Sequence, residues 1–151
     1  MSTTFHLWPI TFNLVMFLFV DPTGEKLKME FWNQKKILSK SEWSLDNQLS
    51  QKFLDYFNEF LNTNTINKED LKGLVVVRGP GSFTTLRVVI STLNALAYAL
   101  DIPIVGVEKG KGFSQEVVEK LLGAGHFKDP VAPYYKEPPK ITKPKKNAIK
   151  T

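Results

Sequence analysis

The chain has 151 residues, 42% hydrophobic and 23% charged, which is the size and balance of one globular domain with a single core and excludes wholesale disorder and collagen-like repetition. It has no cysteine and only His6 and His126, so a disulfide framework, a thiol nucleophile, a zinc knuckle and an iron–sulfur site are excluded, and a histidine-built metal centre has too few ligands. The net charge of +5 is local: residues 136–151 hold six lysines and Glu137, leaving 14 basic and 14 acidic groups in residues 1–135.

Residues 1–15 read as an N-terminal extension. Phe5–Val20 is apolar-rich, but His6, Pro9 and Asn13 interrupt it and no positive charge precedes it. A spanning helix needs about 20 predominantly apolar residues, and a secretory signal needs a basic start and a small-residue cleavage site. The expectation is a cytoplasmic protein with no membrane contact.

Met16–Val20 is a short continuous apolar run, the pattern of a strand buried on both faces. Asp21-Pro22-Thr23-Gly24 is turn chemistry, with Asp21 as its capping residue. Leu27–Trp32 alternates as a second strand and Lys36–Trp43 makes a third, giving an antiparallel meander. From Leu45 to Leu61 the apolar period becomes helical and covers an arc of roughly 180°, wider than the ~100° stripe one buried face requires. That breadth predicts packing on the chain's own sheet and on something else. Leu74–Val77 is a β-branched buried strand, Phe83–Leu100 a helix capped by Ser82, and Ile104–Val107 a fifth strand. A short helix over Ser114–Leu122 follows a glycine-rich hinge, and residues 136–151 form a basic, proline-rich tail.

The order β-β-β-α-β-α-β plus a C-terminal helix predicts an α/β domain with a mixed five-stranded sheet in which strands 1, 4 and 5 run parallel. By analogy of fold this is the ribonuclease-H-like layout of the actin, sugar-kinase and heat-shock ATPase superfamily.

Between the fourth strand and its helix lies Gly79-Pro80-Gly81-Ser82. Glycines opening a helix can hold an anion on free N–H groups, which makes Gly79, Gly81, Ser82 and Thr84 a possible anion site and otherwise a structural turn. The loop lacks the Gly-Lys-Ser/Thr ending of a Walker A motif and the third glycine of a dinucleotide fingerprint.

Arg78-Gly-Pro-Gly-Ser-Phe-Thr84, Leu86-Arg87, Asn94–Leu100 and Ile102–Val107 resemble TsaB, the bacterial tRNA threonylcarbamoyladenosine biosynthesis family. Phe127–Pro139, with Pro133-Tyr134-Tyr135-Lys136, resembles that family's closing segment, so the likeness spans about residues 16–139. Thr85 stands where the family has glycine, and Pro22-Thr23-Gly24 follows the first strand's aspartate in place of Thr-Ser. The resemblance implies a minimal, one-domain form over residues 16–135, with the family's second domain absent and its ends joined near 110–114.

What the resemblance implies for function is a catalytically silent scaffold that pairs with TsaD, the subunit that transfers the threonylcarbamoyl group, with the ATPase TsaE also involved and tRNA contacted indirectly. ATP and magnesium are then expected on the partner, with no cofactor here and Asp21 only a remnant of a phosphate or metal site. One carboxylate with neither lysine nor histidine beside it is a poor catalytic set. Val88, Ser91, Thr92, Ala95 and Ala99 form a line of small side chains on the second helix, and such a line lets another helix approach closely. With Arg87, and with Phe53, Phe57 and Phe60 from the broad first helix, they make the expected docking face for TsaD, or for a second copy in isolation. The alternatives are that the protein's own C-terminal helix covers this face, and that the chain is an RNA-binding or regulatory module acting through its lysine tail.

Overall fold

The computed structural model describes residues 15–136; the N-terminal extension before Val15 and the tail after Lys136 lie outside the described residues. Strand β1 (Met16–Asp21) is apolar on both sides because a layer meets each: Leu18 and Val20 point into one core, Phe17 and Phe19 into another. The turn after it leads to β2 (Lys26–Trp32) and β3 (Ile37–Ser44). On β2 the period of two sends Leu27, Met29 and Phe31 inward and leaves Lys28 and Glu30 on the other face.

Helix α1 (Leu49–Thr63) begins four residues after the expected Leu45. Asp46 Oδ1 accepts the Gln48 backbone N–H at 2.8 Å, an Asx turn that competes with helix at this point, and Leu45 packs on the core from the loop. Strand β4 (Leu71–Val77) begins three residues before the expected Leu74. Its first turn of alternation is hidden in the sequence by Gly73, where a Cβ would come within 2.9 Å of Leu121 and 3.0 Å of Phe17. Helix α2 (Phe83–Leu100) and β5 (Ile104–Val107) occupy the expected residues, and α3 (Gln115–Ala124) is capped by Ser114.

The strand order is β3-β2-β1-β4-β5, with β1, β4 and β5 parallel and the meander antiparallel, as the element order predicts. Helices α1 and α2 lie over one face; α3 covers the other, placing Val117, Val118 and Leu121 on Phe17, Phe19, Val75 and Val77. By length and composition α2 is the one described helix that could cross a bilayer, but its Leu86, Val89, Ile90, Leu93 and Ala97 are packed on the sheet.

The breadth of α1 has an internal cause. Phe60 stacks on Phe31 with ring centroids 4.3 Å apart, Tyr56 stacks on Trp43 at 5.5 Å, and Trp43 meets Phe60 edge-on at 5.8 Å. The aromatic floor of the meander fills the wide arc, so no outside partner is needed for it. Phe53, Phe57 and Phe60 are 1%, 2% and 1% exposed and belong to the chain's own core, which corrects their expected place in a docking face. Burying each such ring contributes about 1.5–3 kcal/mol.

Candidate docking face and strand-end loops

The carboxyl ends of β1, β4 and β5 meet at one edge of the sheet, the place where open α/β sheets bind ligands. Asp21 stands at the end of β1, and its Oδ1 accepts both the Thr23 backbone N–H at 2.9 Å and the Thr23 hydroxyl. The carboxylate is therefore engaged by its own turn, and Thr23, the buried polar residue of this region, is satisfied by it. Gly81 lies against Thr23, with room for a Cβ only 3.3 Å from the threonine backbone. Lys109, just past β5, donates its backbone N–H to the Gly79 carbonyl at 2.9 Å and its Nζ to the Thr23 carbonyl at 3.3 Å. Sequence reading left Asp21 without a lysine nearby; the structure brings Lys109 to the same turn across 86 residues of chain. Local spacing holds no signal for that contact, which follows from β5 lying beside β4.

The loop itself is tied down. Gly79 has φ +135°, a conformation that side chains rarely adopt, and a Cβ there would fall on the Tyr134 carbonyl oxygen. Tyr134 donates its N–H to the Arg78 carbonyl at 2.7 Å, and the Arg78 guanidinium donates to the Ala132 carbonyl at 3.2 Å and lies 5.6 Å from the Tyr134 ring centre. Asn94 of α2 grips Val131 at both ends, donating to its carbonyl at 2.9 Å and accepting its N–H at 2.8 Å. Phe83 stacks on Tyr135 at 4.6 Å. The segment ending at Lys136 thus straps β4 to the flank of α2. Ser82 Oγ accepts the Thr85 N–H at 3.5 Å, the expected helix cap, so this hydroxyl serves the fold. Among the described residues no group of three acidic or imidazole side chains is placed to hold a metal.

The outer face of α2 is the second feature. Of its 18 residues only Leu86, Val89, Ile90, Leu93 and Ala97 are buried. Ser91, Ala95 and Ala99 are exposed on the opposite side, with Val88 and Thr92 half-buried beside them. Helix α3 lies across the sheet, so the reading in which the C-terminal helix covers this face does not hold. The Ser91 and Thr92 hydroxyls both donate to the Val88 carbonyl, at 3.2 and 2.7 Å. Their polar needs are met within the helix, and what they offer outward is small and largely apolar. Toward its N-terminus the face widens into a shallow groove of about 550 Å³ between Thr84, Arg87, Val88 and Ser91 of α2 and Pro133 and Tyr135 of the strap. Arg87 is held over the Phe83 ring at 5.2 Å, at the groove's rim.

Of the expected docking residues, the structure places Arg87, Val88, Ser91, Thr92, Ala95 and Ala99 together on α2. It adds large exposed side chains that the small-residue pattern did not single out. Tyr98 is 73% exposed and meets Phe127 edge-on at 5.6 Å, and Leu54 is 49% exposed on α1. In sequence Leu54 is one of the residues of the broad apolar arc of α1; the structure leaves it exposed.

The sheet order and strand-end loops define an α/β domain of the ribonuclease-H-like, actin-type class. Residues 37–135 match the model of the family TsaD, tRNA N6-adenosine threonylcarbamoyltransferase, and the chain belongs to this family. Two curated relatives carry the name tRNA threonylcarbamoyladenosine biosynthesis protein TsaB. That of Escherichia coli (strain K12) is 29% identical over 90 residues, covering 60% of this chain and 38% of the relative. That of Bacillus subtilis (strain 168) is 26% identical over 119 residues, covering 78% of this chain and 48% of the relative. The chain thus spans less than half the length of these relatives. YeaZ from Pseudomonas aeruginosa shares the fold, with a TM-score of 0.56 at 21% identity over 62% of this chain and 44% of its own. The likeness to TsaB read from Arg78–Thr84 and the elements after it is borne out by these relatives.

Proposed function

We propose that the chain is a non-catalytic scaffold subunit in the formation of threonylcarbamoyladenosine in tRNA, docking through the outer face of α2 on a TsaD-type subunit that carries ATP and magnesium. The observation that supports this most is a long apolar helix with five of its 18 residues buried and a ridge of small side chains that nothing in the described chain covers. Ser91, Ala95 and Ala99 lie one turn apart, and helix axes pack 8–10 Å apart, at the short end where the contact residues are small. The pairing draws further support from the family and from the names of its TsaB relatives. In this reading the site is cytoplasmic, tRNA is reached through the complex, TsaE joins at the partner, and a second copy takes the face when the partner is absent.

The silent role rests on the strand ends. Asp21 is engaged by Thr23, and the Lys109 ammonium donates to the Thr23 carbonyl, so both side chains already serve the turn after β1. Two measurements test the proposal. Mixed with the TsaD-type protein of the same genome, the chain should elute as one complex by size exclusion with light scattering; separate elution at micromolar concentration refutes the pairing. Alone, it should hydrolyse no ATP above background; turnover that disappears in Asp21→Ala would make it an enzyme.

A further inference from the structure

Strand β3 ends the sheet, and among the described residues no strand or helix pairs with its outer edge. On the sheet face away from α1 and α2 the charges alternate: Glu30 stands opposite Lys40, and Lys28 opposite Glu42. Ile37 and Leu38, at the start of the same strand, are 39% and 41% exposed. Edge strands usually carry a lysine as a barrier to strand addition, and Lys40 is such a barrier to most sequences. Two residues away, however, Glu42 makes the strand complementary to itself.

From this charge pattern we infer that β3 pairs antiparallel with β3 of a second copy, about a two-fold axis at Ser41, joining two five-stranded sheets into one of ten strands. In that register Lys40 faces Glu42 of the copy and Glu42 faces its Lys40, so the alternation of Lys28, Glu42, Lys40 and Glu30 continues unbroken across both sheets. In the same register Trp43 of one copy meets the small Ser39 of the other. The neighbouring registers are rejected by charge: an axis at Lys40 sets lysine on lysine, and an axis at Glu42 sets glutamate on glutamate. The main-chain bonds supply affinity and the charges select the register. The surface is separate from the α2 face, so a docked partner and the paired strand can coexist.

The absence of cysteine from the sequence makes the test position-specific. Across an antiparallel pair Cα atoms lie about 4.5–5.5 Å apart, within disulfide range. Ser41→Cys should therefore form a covalent dimer with oxidised glutathione. Ser39→Cys should not, because its two copies are displaced by four residues, roughly 13 Å. In the Ser41→Cys background, Lys40→Glu and Glu42→Lys should each weaken association at least about tenfold. Mixing those two proteins should restore it, since one copy then offers two carboxylates and the other two ammonium groups. Light scattering on Lys40→Glu, Glu42→Lys and their mixture, each in an Ala95→Arg background that blocks the α2 face and without any cysteine, repeats the test in a second readout. No cross-link at Ser41→Cys, equal cross-linking at both positions, or charge variants that pair as well alone as together would each overturn the inference.

Discussion

At Gly79 two constraints coincide, a φ of +135° and the Tyr134 carbonyl in the space of a Cβ. Gly79→Ala should therefore force both a strained backbone and displacement of the strap. We expect a loss of about 3 kcal/mol, roughly 10 °C in melting temperature for a domain of this size. Gly123 is the contrast: it lies inside α3 with open space around it, so Gly123→Ala should raise the melting point by roughly 2 °C through helix propensity alone. Thermal melts of the two variants check both signs, and equal destabilisation would show that the strap does not bear on Gly79. The sequence marks Gly79 only as part of a turn motif, because the atom that demands glycine there comes from Tyr134, 55 positions along the chain.

Among the elements, α1 and α2 were both expected to offer a docking face, and they differ in the fold. The arc of α1 is wider than one sheet face requires and α2 carries a line of small residues beside its buried stripe, and a helical wheel reports such surfaces without saying what covers them. The aromatic floor from Phe31 and Trp43 covers that of α1; the outer ridge of α2 remains open. Phe57→Ala should thus cost the isolated chain about 3–5 kcal/mol by opening a cavity, whereas Leu54→Ala should alter stability by less than about 0.5 kcal/mol. Urea unfolding of each variant measures the difference; comparable losses would place Leu54 in the core or Phe57 outside it. The bounds of α2 and β5 were legible to the residue because Ser82, Asp101 and Pro103 punctuate them. Those of α1 and β4 were not, because Asp46 diverts the chain into an Asx turn and Gly73 erases one step of alternation.

Across the whole molecule, the chain order of strands and helices was enough to give the parallel β1, β4 and β5 and the antiparallel meander, since short connections and right-handed crossovers leave few alternatives. What chain order does not contain is contact between distant loops. The Lys109–Thr23 bond and the strap on Arg78 and Asn94 join segments 37 to 86 residues apart, and these bonds brace the loops at the strand-end edge. The function proposed here rests on the open ridge of α2. The most direct test is an equilibrium titration of the chain and its Ala95→Arg variant into the TsaD-type subunit, with circular dichroism on the variant. We expect saturable one-to-one binding by the chain, none by Ala95→Arg, and an unchanged melt, because Ala95 is exposed in the isolated fold. Undiminished binding by a folded Ala95→Arg protein would contradict the assignment of this face.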